Sequence, residues 1–267
     1  MRMQSCLLAA ATAVVLFASG AWQSPASEQK AILASAHRGE HQHHPENSLP
    51  AMQAAIDAGM DYVEIDVRTT SDGQLVFMHD ATVNRMTGGK GKVAEMTFDQ
   101  IRALDLGTKF PGQFPGLKVP TFDEVLDLAK TGGIGIYVDT KQATPQDLVA
   151  AIDRHDMGDR VMFWSEHPDF LKQIAELRPK WTLMPEAFNP GHVRKVLDLL
   201  HPQLLGFDGR DFNAPTIAAA REANVGIFVD LQTPRDWQDA IDQGVTGIQT
   251  DHPAELIAYL RSKGLHK

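Results

Sequence analysis

Cysteine is all but missing from this chain: Cys6 is the single one in 267 residues. That excludes an internal disulfide framework and any zinc site built on thiolates, so a bound metal must be held by oxygen or nitrogen. Positive charge is scarce as well. Lys and Arg number 25 against 34 Asp and Glu, a formal charge of −9. So acidic a chain is unsuited to a phosphate backbone, and no nucleic-acid partner is expected. Apart from the first two dozen residues, no stretch approaches the roughly 18 uninterrupted apolar residues of a bilayer span. There is no repeat beyond a strand-helix unit and no low-complexity segment. Core material is plentiful: 43% of residues are hydrophobic, close to the globular norm and too many for a disordered chain.

The first residues read as an address. Arg2, the apolar run Cys6–Ala18 and the small residues Ser19, Gly20 and Ala21 have the layout of a secretory signal peptide. Cleavage is expected after Ala21 or, with Ser24 and Ala26 as the small pair, after Ala26. Either cut removes Arg2 alone among charged residues, so 24 basic residues remain against 34 acidic ones, a formal −10. Cys6 stands before the apolar run, which argues against a lipid-anchored cysteine at the cut. The remainder, residues 27–267, is expected to be one domain, periplasmic or secreted, with no stable membrane anchor.

From Ile32 to Leu260 short apolar runs alternate with longer amphipathic segments, the pattern of repeated strand-helix units around a parallel sheet. Strands are expected at Ile32–Ala36, Tyr62–Val67, Leu75–Met78, Ile134–Asp139, Val161–Trp164, Thr182–Met184, Leu204–Phe207, Val225–Val229 and Gly247–Gln249. Helix starts are marked by Ser48, by Thr121 with Glu124, by Thr144-Pro145 and by Thr233-Pro234; stops are marked by Gly59, Gly132 and Gly244. Asp72-Gly73 leaves too little chain for a parallel crossover. Leu75–Met78 is therefore expected to run antiparallel, returning His79 to the level of Asp66. The other eight strands predict an α/β fold, a (β/α)₈ TIM-type barrel, with residues 81–120 as a rim insertion holding one short helix near Phe98–Leu104.

Polar clusters stand at the strand ends, where parallel barrels carry their active sites. His37-Arg38-Gly39 follows the first strand. Glu64 and Asp66, two apart in an apolar strand, share one face while Val63, Ile65 and Val67 take the other. Two buried like charges so close repel unless something positive lies between them. Asp139 offers a third carboxylate, and an all-oxygen set suits Ca²⁺ or Mg²⁺. His79-Asp80 brings a second imidazole and Lys141 a cation. Two imidazoles, a carboxylate-held cation, Arg38 and Lys141 describe a site for a small phosphodiester. Metal and guanidinium meet the charge that grows on its non-bridging oxygens, and the histidines carry protons to and from the reacting oxygens.

In order and spacing His37-Arg38-Gly39, Pro45-Glu46-Asn47-Ser48, Glu64-Ile65-Asp66-Val67, Thr70-x-Asp72-Gly73, His79-Asp80, Arg85 and Gly89-x-Gly91-x-Val93 resemble the glycerophosphodiester phosphodiesterase family. The resemblance resumes at Val138-Asp139-Thr140-Lys141 and at Gly247–Pro253. It implies a (β/α)₈ barrel and metal-dependent hydrolysis of deacylated phospholipids to glycerol 3-phosphate and an alcohol. By the same resemblance His37 and His79 are catalytic, Glu64, Asp66 and Asp139 bind the metal, and Arg38 contacts phosphate. Attack by water and attack by a glycerol hydroxyl through a cyclic phosphate both fit it. Two departures stand out: Asp139 replaces the family's usual Glu, and Phe228-Val229-Asp230-Leu231 replaces an aromatic-Thr-Val-Asn run.

Other residues invite plainer readings. His41, His43 and His44 are expected on a solvated loop, Asp251 in the loop that closes the barrel, and Trp181 and Trp237 in packing. Arg85 either clamps substrate or anchors the loop Gly88–Gly91, and Phe110 and Phe114 either cover the mouth or pack their own loop. Two rival functions use the same barrel: a phospholipase acting on lysolipids, and a turnover-deficient binder of a phosphorylated ligand. The paired histidines argue against the binder.

Overall fold

The structure, a computed structural model, describes residues 31–267; the expected leader, residues 1–26, lies outside the described residues. Among these, nine strands form: β1 (Leu33–Ala36), β2 (Tyr62–Thr69), β3 (Leu75–Phe77), β4 (Gly135–Gln142), β5 (Val161–Ser165), β6 (Thr182–Pro185), β7 (Leu204–Asp208), β8 (Gly226–Asp230) and β9 (Gly247–Thr250). Between them run α1 (Leu49–Ala58), α2 (Asn84–Thr87), α3 (Phe98–Arg102), α4 (Phe122–Gly132), α5 (Pro145–His155), α6 (Pro168–Leu177), α7 (Pro190–Leu200), α8 (Ala214–Glu222), α9 (Pro234–Asp242) and α10 (Pro253–Ser262). None of these helices is long and apolar enough to cross a membrane.

The helices start where side-chain oxygens can accept the first free amides. Ser48, Thr121, Thr144 and Thr233 each cap their helix, and Glu124 completes a reciprocal box with Thr121. One stop differs from expectation. Gly132 is the last helical residue of α4, and its neighbour Gly133, at φ +75°, takes the left-handed cap.

Eight strands run parallel in the order β6-β5-β4-β2-β1-β9-β8-β7, and β3 pairs antiparallel with the upper end of β2. A bridge between Glu186 and Gly206, with the Ala187 amide donating to the Gly206 carbonyl at 2.8 Å, joins β6 to β7 and nearly closes the barrel. Side chains alternate about the sheet. Val63, Ile65 and Val67 pack outward into the shell shared with the helices, while Tyr137, Met162, Met184, Leu204 and Phe228 fill the barrel interior. Trp181 and Trp237 are both buried in the outer shell. The register sets Asp66 beside Asp139, Asp139 beside Trp164, and Asp230 beside both Asp208 and Gln249. A polar ring thus caps the apolar interior at the strands' C-terminal ends.

The β2–β3 hairpin returns one residue earlier than expected, so that Met78 rather than His79 reaches the level of Asp66. Thr69 pairs with Leu75, so five residues make the turn and Met78, whose amide donates to the Asp66 carbonyl at 3.1 Å, stands opposite Asp66. Residues 81–120 hold more structure than one short helix: α2, α3 and two single-turn 3₁₀ segments enclose a separate small core of Val76, Met78, Val83, Met86, Val93, Ile101, Leu106 and Val119.

Candidate active site

Three carboxylates converge at the mouth. Glu64 and Asp66, 2% and 1% exposed, come from β2 and Asp139 from β4, with one oxygen of each within 4.8 Å of the others. Burial pushes Glu64 well above the usual carboxylate range, and the charges of Asp66 and Asp139 add to that push against the opposing Arg38. Asp139 is raised by burial too, although Lys141 works against the shift. Burial alone would lower the Lys141 ammonium, yet Asp139 and Asp66 carry it above its ordinary value. Its Nζ donates to Asp139 Oδ2 at 2.6 Å and lies 3.4 Å from Asp66 Oδ1.

Tight backbone turns hold these groups. The Arg38 amide donates to Glu64 Oε2 at 2.8 Å, with Arg38 at φ +55°. Gly39 at φ +82° follows, and a Cβ there would stand 2.8 Å from the backbone and side chain of Ala51. Asn47 donates from Nδ2 to Asp66 Oδ2 at 2.6 Å and accepts the Asp66 amide at 3.2 Å. The other oxygen, Asp66 Oδ1, is buried and makes no hydrogen bond; Lys141 is too poorly aligned to make one. An open, buried acceptor among three carboxylates fits a hard divalent cation. The donor set is all oxygen, as such an ion requires.

Each of the two histidines rests on a carboxylate. His37 Nδ1 is 2.7 Å from Asp251 Oδ1, and His79 Nδ1 is 2.9 Å from Asp80 Oδ1. With Nδ1 engaged on a carboxylate, Nε2 is the ring atom left for other work. The Arg85 guanidinium, with His79, holds Asp80 well below the usual carboxylate range. For Asp251, burial opposes but hydrogen bonds from His37 and His41 prevail, and its carboxyl also sits well below that range. Arg85 resolves into a tie: it grips Asp80 at 2.6 and 3.0 Å and Glu46 at 2.8 and 2.6 Å. Glu46 lies 3.4 Å from Arg38, which in turn lies 3.5 Å from Asp66. His79 is therefore linked to the carboxylate triad by one chain of ion pairs, while His37 stands in a separate cluster with Asp251 and His41.

A cavity of about 150 Å³ opens here, lined by His37, Glu64, Tyr137, Asp139, Trp164, Glu186, Asp208, Asp230 and Gln249. Of the seven residues singled out from the sequence, His37, Glu64 and Asp139 face it. Asp66, Arg38 and Lys141 back it through the contacts above, and His79, held by Asp80, is not among the lining residues but acts on the lining Asp139 through its charge. Of the lining from β5 to β9, Asp230 belongs to the run that departs from the family and Gln249 to the last matching run, whereas Trp164, Glu186 and Asp208 were not anticipated. A signal for the carboxylates was available, since Glu186, Asp208 and Asp230 follow or end apolar strands as Asp139 does. Burial lifts Glu186 to about 7, against hydrogen bonds from Trp164 Nε1 at 2.6 Å and the Asp208 amide at 3.3 Å. Gly206 makes the Trp164 contact possible: a Cβ there would stand 2.7 Å from the indole.

Two plain readings need correction. Asp251 does not merely close the barrel, because it orients His37. The histidine-rich loop is not simply solvated either. His41 Nε2 meets Asp251 at 2.9 Å, and His43 and His44 flank Glu40 at 3.0 and 2.6 Å, though His43 is 82% exposed. Phe114 packs on His44, ring centres 5.4 Å apart, and on Phe110 at 5.8 Å. Neither phenylalanine lines the cavity.

Comparison with known proteins bears on this site. The profile of the Glycerophosphoryl diester phosphodiesterase family matches residues 37–255. A glycerophosphodiester phosphodiesterase of Caldanaerobacter subterraneus is 30% identical over 245 residues, covering 87% of this chain and 99% of the relative. The crystal structure of a glycerophosphodiester phosphodiesterase from Agrobacterium tumefaciens superposes with a TM-score of 0.76 at 27% identity, over 85% of this chain and 99% of that one. A phosphodiesterase of Oleispira antarctica, solved in complex with the product sn-glycerol-3-phosphate, shares the fold at a TM-score of 0.80 and 21% identity, over 86% and 97% of the two chains.

Proposed function

The chain belongs to the glycerophosphoryl diester phosphodiesterase family, and from that premise we propose that it hydrolyses small glycerophosphodiesters to glycerol 3-phosphate and an alcohol, with a divalent cation held by Glu64, Asp66 and Asp139. The observation that carries the metal is Asp66 Oδ1, buried without a hydrogen bond between two further carboxylates. Once bound there, the cation supplies Lewis-acid stabilisation of charge on the phosphoryl oxygens. Arg38 and Lys141 bring positive charge to the same oxygens. His37 and His79 share the proton work. One ring takes the proton of the attacking hydroxyl at Nε2, and the other gives a proton from Nε2 to the departing alkoxide as its P–O bond breaks. Asp251 and Asp80 fix the tautomers by accepting from Nδ1. Water as the attacking group gives glycerol 3-phosphate in one step; a glycerol hydroxyl gives a cyclic phosphate and the free alcohol, and water then opens the ring to the monoester with the two histidines exchanging roles.

The cavity wall favours a small polar substrate. It consists of carboxylates, an imidazole, an amide and two aromatic rings, with no aliphatic track to support a lysolipid acyl chain. A substrate panel with product identification tests the reaction. Turnover of glycerophosphodiesters should vanish with a chelator and return with Ca²⁺ or Mg²⁺; turnover indifferent to chelation would remove the metal, and cleavage of lysolipids alone would favour the rival. Export to the periplasm or medium is part of the same reading, resting on the leader-like run after Arg2. Mass spectrometry of the mature N-terminus should find residue 22 or 27, and an intact Met1 on the exported protein would refute cleavage.

A further inference from the structure

We infer that His37, His41 and Asp251 form a second cation site, one that takes a borderline transition ion such as Zn²⁺ and silences the enzyme when filled. The binding stands on geometry alone; the silencing rests on the diesterase reading above, in which His37 works through Nε2.

The histidine-rich loop after β1 takes no part in the reaction as proposed. Within it His43 and His44 turn to Glu40, whereas His41 reaches Asp251, just past β9. Two imidazoles thus meet one carboxylate oxygen, His37 Nδ1 at 2.7 Å and His41 Nε2 at 2.9 Å from Asp251 Oδ1. Orienting His37 needs only the first of these contacts. One ligand atom of each residue lies within 4.8 Å of the others. The two rings stand edge to face at 86° with centres 5.9 Å apart, so neither covers the other. A tetrahedral ion with bonds of about 2.0–2.2 Å holds its ligand atoms roughly 3.4 Å apart, so the two hydrogen bonds need lengthen by only about half an ångström. The site is held from behind, because the Asp251 amide donates to Gln232 Oε1 at 2.7 Å. It is also open: the side chains of His37 and His41 are each 22% exposed and that of Asp251 31%, which gives an ion entry and a water the fourth position.

The donor sets sort the ions. Glu64, Asp66 and Asp139 offer oxygen alone, as Ca²⁺ and Mg²⁺ prefer, while two imidazole nitrogens and one carboxylate suit Zn²⁺ and its neighbours. Each neutral imidazole becomes a ligand by moving its proton to the opposite nitrogen. That move stops the reaction. With an ion on Nδ1, His37 carries its proton on Nε2, where it has no lone pair to accept another and no longer has an imidazolium proton to give.

Zinc titration of the mature protein, with Ca²⁺ or Mg²⁺ in excess at the triad, tests the inference by calorimetry and by turnover of glycerophosphodiesters. One Zn²⁺ should bind, turnover should fall in step with its occupancy, and raising the hard ion further should not restore it. His41→Gln keeps a donor for Asp251 but loses the ligand nitrogen. It should weaken zinc binding, and raise the zinc concentration for half inhibition, by at least about tenfold, since even outer-shell partners of a metal commonly contribute about 10–100-fold. Inhibition relieved by the hard ion, or felt as strongly by His41→Gln as by the wild type, would place the zinc at the triad and overturn the inference. If the variant does not fold, Co²⁺ on the wild type decides: the intense visible bands of a four-coordinate ion support the site, and the pale spectrum of a six-coordinate one contradicts it. Zinc bound through His41 on a protein that hydrolyses no diester sinks the diesterase reading and leaves the site standing; diester turnover indifferent to zinc sinks the inference alone.

Discussion

The two halves of the barrel mouth are both crowded with carboxylates, yet they balance that charge differently. Around β1, β2 and β4, Glu64, Asp66 and Asp139 are met by Arg38, Lys141 and the amide of Asn47, and one oxygen is left open. Around β5 to β9, Glu186 and Asp230 have only neutral donors, and burial raises both. Positive groups built into the fold oppose the burial of the first set, whereas on the second set burial without a lysine or arginine partner favours the protonated carboxyl.

Breaking the first half should cost most. His37→Ala and His79→Ala are each expected to lower kcat by roughly 10²–10⁴-fold with the thermal midpoint nearly unchanged. Steady-state kinetics beside a melting curve checks this, and a near-normal rate in either variant removes that histidine from the reaction.

The second half should speak through stability. Glu186 has its folded pKa raised from 4.5 to about 7, so between those values the native state holds a proton that the unfolded state has lost. Stability therefore falls as pH rises through that window, by about 3 kcal/mol in all, and Glu186→Gln should flatten the decline. Urea unfolding at several pH values between 4.5 and 7 measures it; parallel curves for the two proteins would show that Glu186 carries no such penalty.

A smaller effect, with opposite signs with and without metal, belongs to Glu64. Its raised pKa marks an unfavourable charge in the metal-free fold, so Glu64→Gln should lift the metal-free thermal midpoint by a few degrees and abolish the further rise that Ca²⁺ or Mg²⁺ gives the wild type. A variant still stabilised by the ion would exclude Glu64 as a ligand. Smallest of all is Asp139→Glu, which restores the family's longer side chain and should hold the ion as tightly or more so; calorimetric titration that finds weaker binding would mean the shorter carboxylate is fitted to this site.

Much of the first half was legible in the sequence because its residues sit in short ordered runs. The two-residue spacing of Glu64 and Asp66 and the alternation of strand and helix both survive as local patterns. The second half depends on closure. Asp251 reaches His37 only because β9 lies beside β1, with Thr250 paired to Ala36, across 214 positions of chain. Trp164 reaches Glu186 only because Gly206, from a third strand, leaves room. The hairpin register slipped by one residue for a local reason, a five-residue turn closed by the Thr70 amide donating to the Gln74 carbonyl at 2.9 Å. His41 illustrates the same limit, since its carboxylate partner lies at the far end of the sequence.

Anomalous diffraction from crystals soaked in Mn²⁺ tests the central claim most directly. One peak enclosed by Glu64, Asp66 and Asp139 is the result predicted here. A peak lodged instead among His37, His41 and Asp251, which also converge within 4.8 Å, or no peak at the triad at full activity, would contradict the account.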